Sequence, residues 1–198
     1  MVDWERLRHD PDIKYIEKLV EGYSYADGHS AVITDEKFCS LLIRRIRESK
    51  ATIFNMIEFL YEVEREEPLS RDLQRLKDEL DIFSDEIKAR FCDWADLDEQ
   101  WIRKLVWHDV SLIKGLEKLN EELQEIYEKL IRDKSLATGP GEDDRKLWEF
   151  VKSRLPGIGR QVDGMVVMFK EREGICNLRP LSLEKTYDKI REKIGEQI

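Results

Sequence analysis

Residues 101–134 read WIRKLVWHDVSLIKGLEKLNEELQEIYEKLIRDK. Within them Ile102, Leu105, Asp109, Leu112, Leu116, Leu119, Leu123, Ile126 and Leu130 recur at alternating steps of three and four. Such steps average close to one α-helical turn, so these residues line one side of a helix. A stripe of that length leaves water only by packing against other helices. Two upstream segments carry the same rhythm. Cys39, Leu42, Ile46, Ser49, Ile53, Met56, Leu60 and Val63 form one seam, and Leu69, Leu73, Leu76, Leu80, Phe83 and Ile87 form another. The expected fold is all-α: an elongated antiparallel helical bundle with coiled-coil-like seams plus a small C-terminal helical module.

Punctuation residues divide the chain. Asp3 caps an opening helical stretch over 3–22, broken near Pro11 and closed by Gly22. Gly22 to Ile33 reads as a loop or as a small hairpin turning at Asp27-Gly28. Thr34 or Asp35 then caps a helix to about Glu66, Pro68 ends it, and Ser70 caps the next to about Cys92. A third helix runs from about Asp98 to Lys134 and would span roughly 55 Å at ~1.5 Å per residue. Leu136-Ala137-Thr138-Gly139-Pro140-Gly141-Glu142 reads as a linker. Beyond it, helices are expected at 143–155, 159–173 and 182–197, separated by Pro156-Gly157 and by Gly174 with Pro180. The domain reading is therefore an N-terminal helix and loop over 1–34, a three-helix bundle over 35–134, and a C-terminal module over 143–198 after the 135–142 linker.

Composition narrows the function classes. Charged residues make up 39% of the 198, and 34 basic against 43 acidic side chains give a net charge of −9. Much of that charge sits opposite the apolar seams, as in Glu121, Glu122, Glu125, Glu128 and Lys129, where solvated helix faces account for it. An acidic surface repels polyphosphate at long range, which disfavours extensive wrapping of nucleic acid. No apolar run is long enough to span a bilayer, and MVDWERLRHD lacks the apolar core of a secretory leader. Cys39, Cys92 and Cys176 lie far apart, without the spacing of a zinc site. A reducing, cytoplasmic location is the expectation.

The sharpest local motif is Leu155-Pro156-Gly157-Ile158-Gly159, with helical sequence on each side. It resembles the hairpin of the helix-hairpin-helix DNA-binding motif over residues 144–173. That resemblance implies phosphate contact through Gly157, Ile158, Gly159, Arg160 and Gln161, with backbone amides facing the anion. Seven basic residues against six acidic ones between Asp143 and Glu173 leave little positive charge for the task. The plainer reading is that Pro-Gly-x-Gly stops one helix and starts another. Ile175 to Pro180 contains no acid, so the catalytic aspartate of helix-hairpin-helix glycosylases has no counterpart there.

Glu64, Glu67, Asp78 and Asp81 faintly resemble the metal-binding carboxylates of the all-α nucleotide pyrophosphohydrolases, which hold Mg²⁺ between two helices. A solvated face explains the same residues. None of His9, His29 or His108 follows a Glu by three, so a di-iron carboxylate bundle lacks its ligands. Asp109 stands at a seam position among leucines. It lies at the seam's edge if the stripe rotates locally, or else acts as a buried polar pin paired with Arg44, Arg45 or Arg47. Five tryptophans raise the prospect of an aromatic anchor at a partner surface, with Trp101 and Trp107 unable to share one narrow face.

The leading functional expectation is a non-enzymatic cytoplasmic protein acting through a protein partner or as a homo-oligomer, without a cofactor. Weak, non-specific DNA binding through the Pro156–Gly159 hairpin is the alternative, and Mg²⁺-dependent nucleotide hydrolysis is the third.

Overall fold

The computed structural model describes residues 3–62, 69–90, 92, 98–134 and 142–177. It is an all-α bundle. Its helices are α1 (Trp4–Leu7), α2 (Pro11–Glu17), α3 (Gly28–Glu62), α4 (Leu69–Ala89), α5 (Glu99–Lys134) and α6 (Glu142–Asn177). Chain contacts define two compact units. The first comprises residues 1–38, 90–110 and 170–198, and the second comprises 39–89 and 111–169.

Local chemistry sets the helix starts. The Asp3 side chain accepts from the Arg6 amide, and Asp10 accepts from Asp12 with Pro11 at the first helical position. Gly22 takes a φ of 74°, a left-handed turn that glycine adopts without strain. Asp98 caps α5 by accepting from the Trp101 amide. The start of α3 departs from expectation. Asp27 is the cap, accepting from the Ser30 amide at 2.9 Å while the Ser30 hydroxyl donates back to it. The helix begins at Gly28, so no hairpin forms at Asp27-Gly28, and Thr34 and Asp35 lie inside α3 as buried residues. Ser70 likewise falls within the first turn of α4 rather than capping it.

The second unit contains the seams of α3 and α4 and that of α5 from Leu112 onward. Leu42, Ile46, Ile53, Met56 and Leu60 of α3 are buried together with Leu73, Leu76, Leu80 and Phe83 of α4. Leu112, Leu116, Leu119, Leu123, Ile126 and Leu130 of α5 are buried as well. Val63 lies outside the described residues. Ser49, the polar member of the α3 seam, hydrogen-bonds the Asn120 side chain, whose amide donates to the Arg45 carbonyl at 3.4 Å. One polar pair thus marks a register within an otherwise apolar interface.

The C-terminal module requires correction. α6 runs unbroken through Pro156-Gly157-Ile158-Gly159, so the two helices expected at 143–155 and 159–173 are one, and the hairpin between them does not exist. The physical reason is a seam that continues across the breakers. Val151, Leu155, Ile158, Val162, Met165 and Phe169 follow steps of four and three and are all buried. Burying six such side chains contributes on the order of 10 kcal/mol. An interior proline costs ~3 kcal/mol and each glycine ~1, so packing outweighs local preference. The Met165 sulfur and Cγ occupy the space that a Cβ at Gly115 of α5 would need, Gln161 donates to the Gly115 carbonyl at 3.0 Å, and Phe169 meets Phe83 edge-on at 5.9 Å. Residues 142–169 thereby belong to the same unit as α4, as a fourth helical stretch. The helix expected at 182–197 lies outside the described residues.

Pro156 and Gly157 face solvent, and a Cβ at Gly157 would meet nothing within 4 Å. Gly157→Ala should therefore raise stability by about 0.5–1 kcal/mol and Pro156→Ala by ~1–3 kcal/mol, both read by urea denaturation. Lower stability in both variants would mean that this stretch is not helical.

Candidate functional site

The chain's most unusual chemistry is a charged cluster sealed in the first unit. Three elements and one loop supply it. Tyr23 and Tyr25 come from the segment between α2 and α3, Asp35 from the second turn of α3, Asp109 from α5, and Arg172 from the last turns of α6. Arg172 and Asp109 are fully buried, and Asp35 is 4% exposed. Ser24, between the two tyrosines, is held to α3 by Thr34, whose hydroxyl bonds both the Ser24 amide and its carbonyl at 2.9 Å. That clasp fixes the tyrosines on either side.

Asp109 accepts three side-chain hydrogen bonds. Tyr23 and Tyr25 donate their phenolic protons to its Oδ2 at 2.7 and 2.8 Å, and Arg172 Nε donates to Oδ1 at 2.5 Å. Arg172 also reaches Asp35 through Nη1 at 2.8 Å and donates from Nη2 to the Tyr25 hydroxyl at 3.1 Å. Its guanidinium lies over the Phe38 ring, 4.6 Å from the centroid. Arg90 Nε supplies the second partner of Asp35 at 2.7 Å. Two cations and two carboxylates therefore balance, and the planar guanidinium serves several acceptors at once.

Burial governs the titration of these groups. It pushes the Asp109 carboxyl above its ordinary range, while Arg172 and the two phenols pull it back. Both phenols are pushed well above the usual tyrosine value, by burial first and by the Asp109 charge second. Burial works against the Arg172 cation, yet Asp109, Tyr25, Cys176 and Asp35 outweigh it and move its pKa well upward. The guanidinium accordingly stays charged. Cys176, one turn beyond Arg172, has its thiol pushed far up by burial and by a hydrogen bond with Cys92.

With the cluster's members almost wholly enclosed, a substrate reaches neither Asp109 nor Arg172 unless the packing around them opens. Buried ion pairs contribute little net stability but fix geometry, because a misplaced partner leaves an uncompensated charge. Here that means one rotation of α5 and one of α6 within this unit.

The other sequence-based candidates fare differently. Asp109 is the buried pin, but its partner is Arg172 rather than Arg44, Arg45 or Arg47. Gly157, Ile158, Gly159, Arg160 and Gln161 do not form a phosphate cradle, because their amides belong to the interior of α6. Ile158 is buried, Gln161 turns to α5, and Gly159 and Arg160 line a groove of about 520 Å³ between α4 and α6. That groove mixes Arg75, Lys152 and Arg160 with Asp72, Glu79 and Asp163, so it carries no net positive field. Glu64 and Glu67 lie outside the described residues. Asp81 is paired with Lys50 and Lys77, while Asp78 accepts from Gln74. Among the described residues no three His, Cys, Asp or Glu side chains converge as a metal site.

Arg172→Met should cost about 3–5 kcal/mol, since it strands buried carboxylate charge. Arg172→Met with Asp109→Leu should cost less than the sum of the single changes by roughly 2 kcal/mol or more in urea unfolding; strict additivity would contradict the pairing. Unfolded phenols ionise near pH ~10, whereas Tyr23 and Tyr25 are held higher when folded. Stability is therefore undiminished by these groups below that pH and falls as pH rises past it. An absorbance titration at the phenolate band should show two of the six tyrosines ionising only with unfolding. Tyr23→Phe and Tyr25→Phe should each remove part of that delayed step.

Compared with protein-family models, curated protein sequences and solved structures, the chain matches none.

Proposed function

We propose that this is a non-enzymatic helical-bundle protein that works through protein contacts, with a second copy of itself or another chain. The observation that carries this reading is on the outer face of α3. Phe54 and Tyr61, one heptad apart, are 51% and 53% exposed although the helix buries the seam from Cys39 to Leu60 on its other side. Single exposed apolar side chains are ordinary, but two aromatics aligned on one solvent stripe are the pattern of an anchor surface. In the first unit Trp107 of α5 is exposed to a similar degree, beside Lys104, which stacks over Trp101 at 4.5 Å. These faces point outward, whereas the charged chemistry is closed away inside.

No helix among the described residues is long and apolar enough to cross a membrane. The cysteines are odd in number and lie far apart in sequence without metal-site spacing, and on that ground we infer a reducing, cytoplasmic compartment.

Photo-crosslinking tests the reading directly. A benzophenone amino acid placed at Phe54 should yield a discrete heavier adduct in cells expressing the protein, and the same group at Lys118 should not. Lys118 is exposed on α5 and paired with Glu122, making it a matched solvent position. Absence of any Phe54-dependent adduct would overturn the reading.

A further inference from the structure

We propose that a second copy of this chain covers the outer stripe of α3, antiparallel to the first and related to it by a two-fold axis passing near residues 52–53. The proposal rests on the contact reading above and names its partner. Arg44, Arg47, Ala51, Phe54, Glu58 and Tyr61 are all exposed and follow steps of three and four along α3. They form one straight seam on the solvent side of the helix.

The order of side chains in that seam is self-complementary. In an antiparallel pair, residues equidistant from the axis face each other. About the 52–53 midpoint, Ala51 faces Phe54 of the second copy, so a small side chain receives a large one. Arg47 faces Glu58, and Arg44 faces Tyr61, bringing opposite charges together and a cation onto an aromatic ring. The symmetry makes each contact twice. Among the described residues Arg44, Arg47 and Glu58 enter no ion pair within the chain, so their charges are available without breaking an internal bond. A parallel pairing would instead set Arg47 against Arg47 and Glu58 against Glu58, juxtaposing like charges. Both neighbouring faces of α3 are already engaged: Arg45 and Ser49 with α5, and Lys50 with α4. Among the described residues the outer stripe is the face left uncovered.

A lone helix pair is smaller than the ~800 Å² per partner of a standard interface, so the dimer should be weak, with a Kd of roughly 10–100 μM. Sedimentation equilibrium of the full chain over a concentration range spanning that value reads it. Arg47→Glu and Glu58→Arg should each weaken association by about 10-fold, because repulsion then acts at two symmetric pairs. Combining them in one chain recreates both pairs and should restore the Kd to within about 3-fold of the original. Phe54→Asp should abolish the dimer while leaving the helical circular dichroism signal intact. A monomer at every concentration overturns the proposal. So does a dimer insensitive to Phe54→Asp, or one in which the double charge reversal restores nothing. A Phe54 photo-adduct whose mass differs from twice the chain would also overturn it, while leaving the broader contact reading standing; loss of every adduct removes both.

Discussion

Arg172 carries its full charge where no water reaches it, and that cation dictates the composition of everything around it. A lone buried guanidinium would cost many kcal/mol. Asp109, Asp35, the hydroxyl of Tyr25 and the face of Phe38 meet it from different directions. Each partner has a further tie. Tyr23 and Tyr25 complete the shell of Asp109, Arg90 completes that of Asp35, and Thr34 clasps the loop bearing the tyrosines. The apolar seams are tolerant of small slips, since one leucine can replace another in a groove. The ionic cluster has no such latitude, and a helix turned by one residue would strand a charge.

Much of the bundle was legible from spacing alone. The three-four rhythm placed the described seams of α3, α4 and α5 correctly because apolar burial dominates helix packing, Asp3 marked a true helix start through its capping chemistry, and the third helix starts one residue after the expected Asp98. The errors came from reading local signals where distant packing decides. Pro156-Gly157 looked like a stop, yet Val151, Leu155, Ile158, Val162, Met165 and Phe169 keep the rhythm straight across it. That same rhythm continues to Arg172 and Cys176. An arginine in phase with a buried seam was thus the available signal for the partner of Asp109, hidden by the assumption of a break. Thr34 and Asp35 looked like caps because short polar side chains before an apolar run usually are. Their burial follows from contacts with Ser24, Arg90 and Arg172, which no short-range pattern encodes.

The distribution of chemistry over the molecule gives the functional proposal its direction. Polar groups with perturbed titration often mark reactive sites, but only when a substrate can touch them. In the first unit the groups whose pKa burial drives upward, Tyr23, Tyr25, Asp109 and Cys176, are enclosed. In the second, Ile82, Ile131 and Val167 stand singly in solvent on α4, α5 and α6, whereas Phe54 and Tyr61 share one stripe of α3. We therefore propose the α3 stripe of the second unit as the surface presented to another chain, and the ionic cluster of the first unit as a structural lock within that unit.

The lock is tested most directly by the side-chain NMR signal of Arg172. In protein labelled with ¹⁵N-arginine, the Arg172 Nε–H cross-peak should persist at neutral pH and above, with slow exchange and a dipolar contact to the Tyr25 ring. Arg172→Lys identifies the peak by its loss. An Arg172 Nε–H that exchanges as fast as those of surface arginines would contradict the buried cluster and, with it, the fixed helix register argued from it.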